Sequence, residues 1–169
     1  MDDFALHALQ SAPKVVERVL RVFPHDRLDD RFDTDRFTAR EVVAHLADYE
    51  QTVLDRIRAA NSKPGREVPA YDPDANAAEH HFGEKDVFHE AEVYESRRGV
   101  TIEYLQGLTA EDYAKTFTLP DGRVFSISDY LCHILRHDLN HLEQMSHYLA
   151  TEVATITCSV AKVKRVRPQ

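Results

Sequence analysis

Apolar residues recur every three or four positions in four long stretches of the chain, and this spacing predicts four amphipathic helices. The first stretch covers about residues 3–23, where Pro13 predicts a kink or a later start. The second begins at 38–41, where a threonine hydroxyl and a glutamate carboxylate can form a capping box, and it ends near Asn61. The predicted apolar side of the first helix consists of Phe4, Leu6, Val15, Val16, Val19, Leu20 and Phe23.

The third predicted helix covers about residues 84–107, and the fourth begins with a second capping sequence at 126–129 and continues to about Ala150. Between them, residues 117–125 alternate around the turn sequence Pro-Asp-Gly at 120–122, which predicts a small hairpin before the fourth helix.

The connection between the second and third helices, residues 62–83, is long and rich in proline. Asp72 within it can start a short extra helix, because proline follows at the first helical position. Two antiparallel neighbours need only a short loop, whereas a connection of this length can cross the whole bundle. We therefore predict an all-α four-helix bundle with up-down-down-up topology, in which the second and third helices are parallel.

The 169 residues form most simply one domain, which we predict at residues 1–150, followed by a C-terminal extension at 151–169. The net charge of −8 favours a soluble protein and argues against a general nucleic-acid binder. The expected partner is a small-molecule substrate. No signal peptide or membrane-spanning stretch is recognisable. Two cysteines, Cys132 and Cys158, fit a reducing compartment, so we expect a cytoplasmic protein without contact with membranes.

Three histidines, His133, His137 and His141, follow one another at four-residue spacing on one face of the fourth predicted helix. Imidazole is a common metal ligand, and two imidazoles one turn apart can bind a single ion. The first and last of the three lie roughly 12 Å apart along the axis, so at most one adjacent pair shares an ion. A further ligand must come from another helix.

His45, among apolar residues of the second helix, is the predicted third ligand. A lone histidine on an apolar face is more often a hydrogen-bonded core residue than a ligand. In the predicted topology, however, His45 and the midpoint of His137 and His141 differ in height along the bundle axis by only about 5 Å. For the midpoint of His133 and His137 the difference is about 10 Å. The preferred metal site is therefore His45, His137 and His141, with His133 as a supporting or packed residue.

Three imidazoles would leave coordination positions open, which is typical of a catalytic site. Imidazole donors suit zinc, nickel, iron or copper, of which we favour zinc or nickel. Polar residues nearby in sequence could orient the rings or donate to a ligand from a second shell: Glu41, Asp48, Asp138 and Gln144, with His133 as a further member.

Other chemistry-bearing side chains are assigned simpler roles. His80, His81 and His89 in or after the crossover could cover the metal, but we interpret them as solvent-exposed. Cys132 lies half a turn from His141 on the helix and is expected to point away from the site, as a packed core thiol.

Residues 40–50 and 127–144 together resemble the DinB/YfiT-like superfamily, through one histidine in the second helix and the pattern H-x-x-x-H-x-x-Q in the fourth. The resemblance covers roughly residues 4–150. It implies an up-down-down-up bundle, a divalent metal on the three preferred histidines, and commonly a homodimer. Characterised members include thiol-dependent transferases and an isomerase that use low-molecular-weight thiols such as bacillithiol or mycothiol. The long crossover and the C-terminal extension depart from the simple family pattern.

The leading hypothesis is a metal-dependent enzyme that transfers a low-molecular-weight thiol to an electrophile, because a coordinated thiol loses its proton near neutral pH. A metal-dependent hydrolase would use the same ligands. The contrasting hypothesis is a non-catalytic metal-binding protein of the stress response.

Overall fold

The computed structural model describes the backbone of residues 3–32 and 35–164 and the side chains of residues 4–32 and 35–151. Its helices are α1 (Asp3–Val22), α2 (Ala39–Ser62), α3 (Pro73–Glu79), α4 (Val87–Gln106), α5 (Ala110–Tyr113) and α6 (Ile127–Lys164), with two 3₁₀ turns at His25–Arg27 and Phe82–Glu84. Its strands are β1 (Arg66–Glu67), β2 (Thr116–Thr118) and β3 (Val124–Ser126).

The four long helices α1, α2, α4 and α6 form the predicted four-helix bundle. Helices α2 and α4 are parallel, because Arg40 near the start of α2 donates to the carbonyl of Lys85 just before α4, while Asn61 at its end donates to the hydroxyl of Tyr104. The crossover between these helices therefore travels the length of the bundle, as the connection of 22 residues (62–83) predicted.

The outer helices α1 and α6 run opposite to this central pair. Gln144, late in α6, donates to the carbonyl of Phe37 just before α2, whereas Tyr130, early in α6, bonds Tyr49 farther along α2. Early α1 packs against late α4, and late α1 against early α4. The order is up-down-down-up, which confirms the prediction.

Local hydrogen bonds explain where the helices begin. The Thr38 hydroxyl accepts from the Glu41 amide and the Glu41 carboxylate accepts from the Thr38 amide, so the predicted capping box is present. Asp72 caps α3, the short crossover helix, and Asp86 caps α4. The predicted hairpin is also present as β2 and β3.

The later start considered at Pro13 was wrong, because α1 passes through this residue as one helix, and the kink stays a prediction. Proline cannot donate to the carbonyl four residues earlier, and here that carbonyl, of Leu9, accepts a hydrogen bond of 2.9 Å from Arg98 instead. The apolar face is also rotated from the one expected, because Phe4 is 79% exposed and Val15 is exposed as well. The buried residues of this segment are Leu9, Ala12, Pro13, Val16, Leu20 and Phe23.

Two further features were not predicted. The crossover strand β1 pairs in parallel with β2, which fastens the crossover to the hairpin in a sheet of order β1-β2-β3. Two-residue strands carry no periodic pattern, which is why the sequence does not reveal them. Helix α6 continues to Lys164, past the expected end near Ala150. The domain boundary at residue 150 stays a prediction.

Among the described residues, no helix is long and apolar enough to span a membrane. Cys132 is exposed, so its expected role as a packed core thiol was wrong, and the side chain of Cys158 lies outside the described residues.

Candidate metal centre

Helices α2 and α6 bring His45, His137 and His141 together near the middle of the bundle. The Nε2 atoms of His45 and His137 lie 3.0 Å apart, and the three ring centroids are separated by 4.6 to 5.1 Å. One nitrogen from each ring lies within 4.8 Å of the others. The pair on α6 is one turn apart, so the rings project from the same face toward α2.

His133 lies outside this cluster, although it shares the four-residue spacing of His137 and His141 on the same face of α6. Its ring stacks on Tyr130 at 5.7 Å with an interplanar angle of 10° and lies 5.5 Å from the ring of Phe125. It lines the cavity beside the cluster. His133 is thus packed beside the cluster, and its supporting role at the site stays a prediction.

A hydrogen-bonded chain orients His45. Its Nδ1 lies 3.2 Å from the hydroxyl of Tyr71, and that hydroxyl donates to Asp48 at 2.9 Å. Because the tyrosine proton is directed to the carboxylate, the tyrosine oxygen accepts from Nδ1–H of His45, and Nε2 carries the lone pair. Asp48 is therefore linked to His45 through Tyr71, a crossover residue that the sequence analysis missed.

The other carboxylate oxygen of Asp48 lies 2.8 Å from Nδ1 of His80. His80 is exposed, as expected, but it is also tied to the network behind His45. Glu41 is engaged elsewhere, in the cap with Thr38 and an ion pair with Arg31, so its expected place near the histidines was wrong.

Gln144 orients His141. Its amide nitrogen donates to the carbonyl of Phe37 and to the hydroxyl of Tyr148, which leaves its oxygen to accept from Nδ1 of His141 at 3.3 Å. The lone pair of His141 is therefore also on Nε2. Gln144 is buried and contacts the histidine ring through its oxygen, and a role as donor to a ligand stays a prediction.

Asp138 lies behind His137, with 3.6 Å between its Oδ1 and Nδ1 of that ring. Its Oδ2 forms a buried ion pair with Arg98 of α4, at 2.9 Å. The same guanidinium pairs with Glu50 of α2 at 2.8 Å and bonds the hydroxyl of Tyr94. Burial opposes ionisation of Asp138, but its contacts with His137 and Arg98 hold the pKa of this carboxyl below its usual range.

The rings of His45 and His141 are held in their neutral form. Burial, followed by the neighbouring imidazoles, lowers the pKa of His45 to about 2. Burial and the nearby His137 lower the pKa of His141 to about 4. The Nε2 atoms of His45 and His137, 3.0 Å apart, attract each other only when a proton or a cation lies between them. The cluster therefore has the donor atoms and the protonation state that suit a metal ion.

A cavity of about 690 Å³ opens onto the three histidines. Its walls come from the start of α2, the crossover, the hairpin turn and α6. The polar and aromatic side chains that line it include Arg36, Phe37, Tyr49, Arg56, Tyr71, Arg123 and Asn140.

Comparison with known proteins agrees with this architecture. The family described as the DinB superfamily matches residues 8–145. A search of curated protein sequences gave no significant match. Among solved structures, YfiT from Bacillus subtilis is similar with 20% identity and a TM-score of 0.81, over 88% of this chain and 87% of that one. It is described as "a probable metal-dependent hydrolase with an unusual four-helix bundle topology".

Two structures of the mycothiol-dependent maleylpyruvate isomerase are also similar, with identities of 15% and 14% and TM-scores of 0.69 and 0.68. Each alignment covers 85% of this chain but only 60% of the isomerase. At these identities, the similarities to solved structures show a shared fold.

Proposed function

This chain belongs to the DinB superfamily, and on that premise we propose that it is a metal-dependent enzyme that transfers a low-molecular-weight thiol to a small electrophile. His45, His137 and His141 would hold one divalent ion, with zinc or nickel favoured by the imidazole donors. The observation that carries the proposal is the convergence of three ring nitrogens within 4.8 Å at the wall of a cavity.

The surrounding residues support this assignment because they prepare the rings for a cation. Tyr71 and Gln144 accept from the outward nitrogens of His45 and His141, so the inward nitrogens keep their lone pairs. Asp138 places a negative charge 3.6 Å behind His137. A histidine cluster that served only as a packed core would not require acceptors on the second nitrogens of two rings and a carboxylate close behind the third.

A bound divalent ion would supply the charge that makes a coordinated thiol or water acidic near neutral pH. In the proposed transfer, the thiol gives its proton to solvent and its sulfur forms a bond with an electrophilic carbon of the second substrate. At that carbon, the bond to the leaving group breaks, and the leaving group departs with the electron pair and takes up a proton from solvent. The cavity of about 690 Å³ is large enough for small molecules, and Tyr49 and Tyr71 provide aromatic walls beside the histidines.

Hydrolysis is the second candidate reaction, because water can replace the thiol at the same centre. It is favoured by the similarity to the B. subtilis protein described as a metal-dependent hydrolase, which extends over most of both chains. The thiol reaction is favoured by the similarity to the mycothiol-dependent isomerase, although that alignment covers only 60% of the isomerase chain.

Metal content tests the first half of the proposal. Purified protein should hold about one zinc or nickel ion per chain, and replacing His137 or His141 with alanine should abolish binding. His133→Ala provides the matched control on the same helix and should keep the ion. Equal metal content in the wild type and the three variants would contradict the assignment. Loss of metal in His133→Ala alone would show that His133 is a ligand instead of His137 and His141.

Reaction assays test the second half. A generic electrophile should be conjugated to bacillithiol, mycothiol or a simpler thiol by the metal-loaded protein and not by His141→Ala. Thiols should also change the spectrum of the cobalt-substituted protein. Activity on esters or amides without any thiol would favour the hydrolase, and a metal that no substrate engages would favour the non-catalytic hypothesis. A homodimer, a cytoplasmic location and a role in the stress response stay predictions.

A further inference from the structure

Arg56 of α2 is a buried guanidinium with no carboxylate partner among the residues that the structure describes. Its side chain is 6% exposed. Nη1 donates to the hydroxyls of Tyr49 and Tyr130 at 3.1 and 3.2 Å, and Nη2 donates to the carbonyl of Pro69 at 3.1 Å. Nε–H has no partner. All three recorded acceptors are neutral.

A buried charge without a counter-ion is costly, which is why buried arginines are normally paired. Arg98, at 2% exposure, follows that rule with two carboxylates, Glu50 and Asp138. Arg56 departs from it in the same bundle. Since a guanidinium does not lose its proton in proteins, its charge remains in place and attracts an anion from outside the chain.

The position of Arg56 connects this charge to the candidate metal centre. Arg56 and Tyr49 both line the cavity. The ring of Tyr49 lies 4.8 Å from the ring of His137 and 5.8 Å from the ring of His45, so one tyrosine separates the guanidinium from the histidines. An anionic group at Arg56 would therefore place the rest of a small ligand beside the three imidazoles.

The two tyrosines add a hydrogen-bond donor. The hydroxyls of Tyr49 and Tyr130 lie 3.0 Å apart, so one donates to the other while both accept from Arg56. When Tyr130 is the donor, the hydroxyl hydrogen of Tyr49 has no acceptor among the described side chains and can be donated into the cavity. Tyr130 is more deeply buried than Tyr49, which fits this direction.

Other charges reinforce the positive character of this end of the cavity. Burial lowers the pKa of His133, followed by the nearby His137 and then by the positive charges of Arg136, Arg123 and Arg56. The cavity also has three carboxylates, but all are exposed, and one of them is already paired with Arg123. These carboxylates are Asp35, Asp74 and Asp121. Exposed charges are screened by water far more than a buried guanidinium is.

We propose that this end of the cavity binds the carboxylate group of a small-molecule ligand, with Arg56 as its counter-ion and the hydroxyl of Tyr49 as a donor. The binding site stands on these contacts alone. Its role in catalysis rests on the proposed function: the substrate class is then a carboxylate-bearing electrophile, held by its anionic group while its reactive carbon lies beside His45, His137 and His141.

The test compares benzoate with its uncharged isostere benzamide, by calorimetric titration of the zinc-loaded full chain. Benzoate should bind at least about tenfold more tightly, as expected for a hydrogen bond to a buried charged group. Arg56→Gln should remove that preference, and Arg56→Lys, which keeps the charge, should retain most of it. Arg58→Gln is the matched control, because Arg58 is exposed on the same helix over the ring of Tyr104, and it should change binding by less than about twofold.

Equal binding of benzoate and benzamide by the wild-type protein would overturn the proposal, as would an unchanged preference in folded Arg56→Gln. The wild-type comparison needs no variant, so it remains decisive if Arg56→Gln does not fold. Repeating the titration without metal separates the two proposals. Selectivity for benzoate in a protein that binds no metal would leave this site standing and refute the metal centre. Zinc binding without selectivity for benzoate would support the metal centre and refute the carboxylate site.

Discussion

Two buried arginines lie near the histidine cluster and have opposite surroundings. Arg98 of α4 is enclosed by carboxylates from α2 and α6 and by the carbonyl of Leu9 from α1, so it ties all four bundle helices together. Arg56 faces the cavity and meets only neutral acceptors. We infer from this difference that the first charge serves the fold and the second serves a ligand.

The largest effect is expected from Arg98→Met. Removing this guanidinium leaves Glu50 and Asp138 buried without their counter-ion, and breaking such a network costs about 3–5 kcal/mol. Urea unfolding of the metal-free protein at pH 7 measures the loss. Arg97→Met is the control, because Arg97 makes one recorded bond to a backbone carbonyl, and it should cost less than about 1.5 kcal/mol. A small effect of Arg98→Met would show that the buried network does not stabilise the bundle.

Acid should remove the stability contributed by the buried histidines and that contributed by the Asp138–Arg98 ion pair over different pH ranges. The pKa values of His45 and His141 are lowered to about 2 and about 4, below the value of about 6.5 for an unfolded chain. As the pH falls below 6.5, the unfolded chain therefore binds protons that the folded chain does not, and stability falls. The pKa of Asp138 is also lowered, from an ordinary value near 4, so the contribution of this carboxylate to stability is lost only below about pH 4.

For the metal-free protein, we expect a loss of about 3 kcal/mol from His141 alone between pH 6.5 and pH 4. Urea unfolding at several pH values measures it. His141→Gln removes this titrating group, so its stability should fall less over the same range. Identical profiles for the two proteins would mean that His141 is not held neutral by its surroundings.

A smaller effect is expected from Tyr71→Phe, which removes the acceptor of His45 on the cavity side. Loss of a partner that orients a metal-binding histidine typically weakens metal affinity by about 10- to 100-fold. Competition with a chromophoric chelator measures the zinc affinity. Tyr104→Phe is the control, since Tyr104 bonds Asn61 away from the cluster and its loss should leave zinc binding unchanged. Unchanged affinity in Tyr71→Phe would show that this hydroxyl does not position His45.

The same contrast explains what sequence could reveal. Helix starts were predictable because caps such as those at Thr38 and Ser126 depend on residues within one turn. The convergence of His45 with His137 and His141 was predictable because the rise of a helix is fixed, so level along the bundle follows from counting residues.

The partners of the histidines and arginines were harder to predict. Tyr71 lies in the crossover, where no periodicity relates it to α2, and only the folded path of that segment brings it to His45. Long charged side chains are usually exposed, so sequence gave no reason to bury Arg56 or Arg98. Pro13 has no N–H to donate to the carbonyl of Leu9, and the guanidinium of Arg98 donates to it instead. This contact joins helices that are far apart in sequence.

The smallest effect on stability, and the sharpest contrast with Arg98, is expected from Arg56→Met. Methionine keeps much of the apolar volume and removes a charge that has no buried counter-ion, while the hydroxyls of Tyr49 and Tyr130 can still bond each other. The ligand-free protein should therefore unfold within about 1 kcal/mol of the wild type, or be stabilised, and benzoate should no longer increase its stability. Urea unfolding with and without benzoate measures both quantities. Destabilisation as large as that of Arg98→Met would mean that the charge of Arg56 is already compensated within the fold, and the distinction between the two arginines would fail.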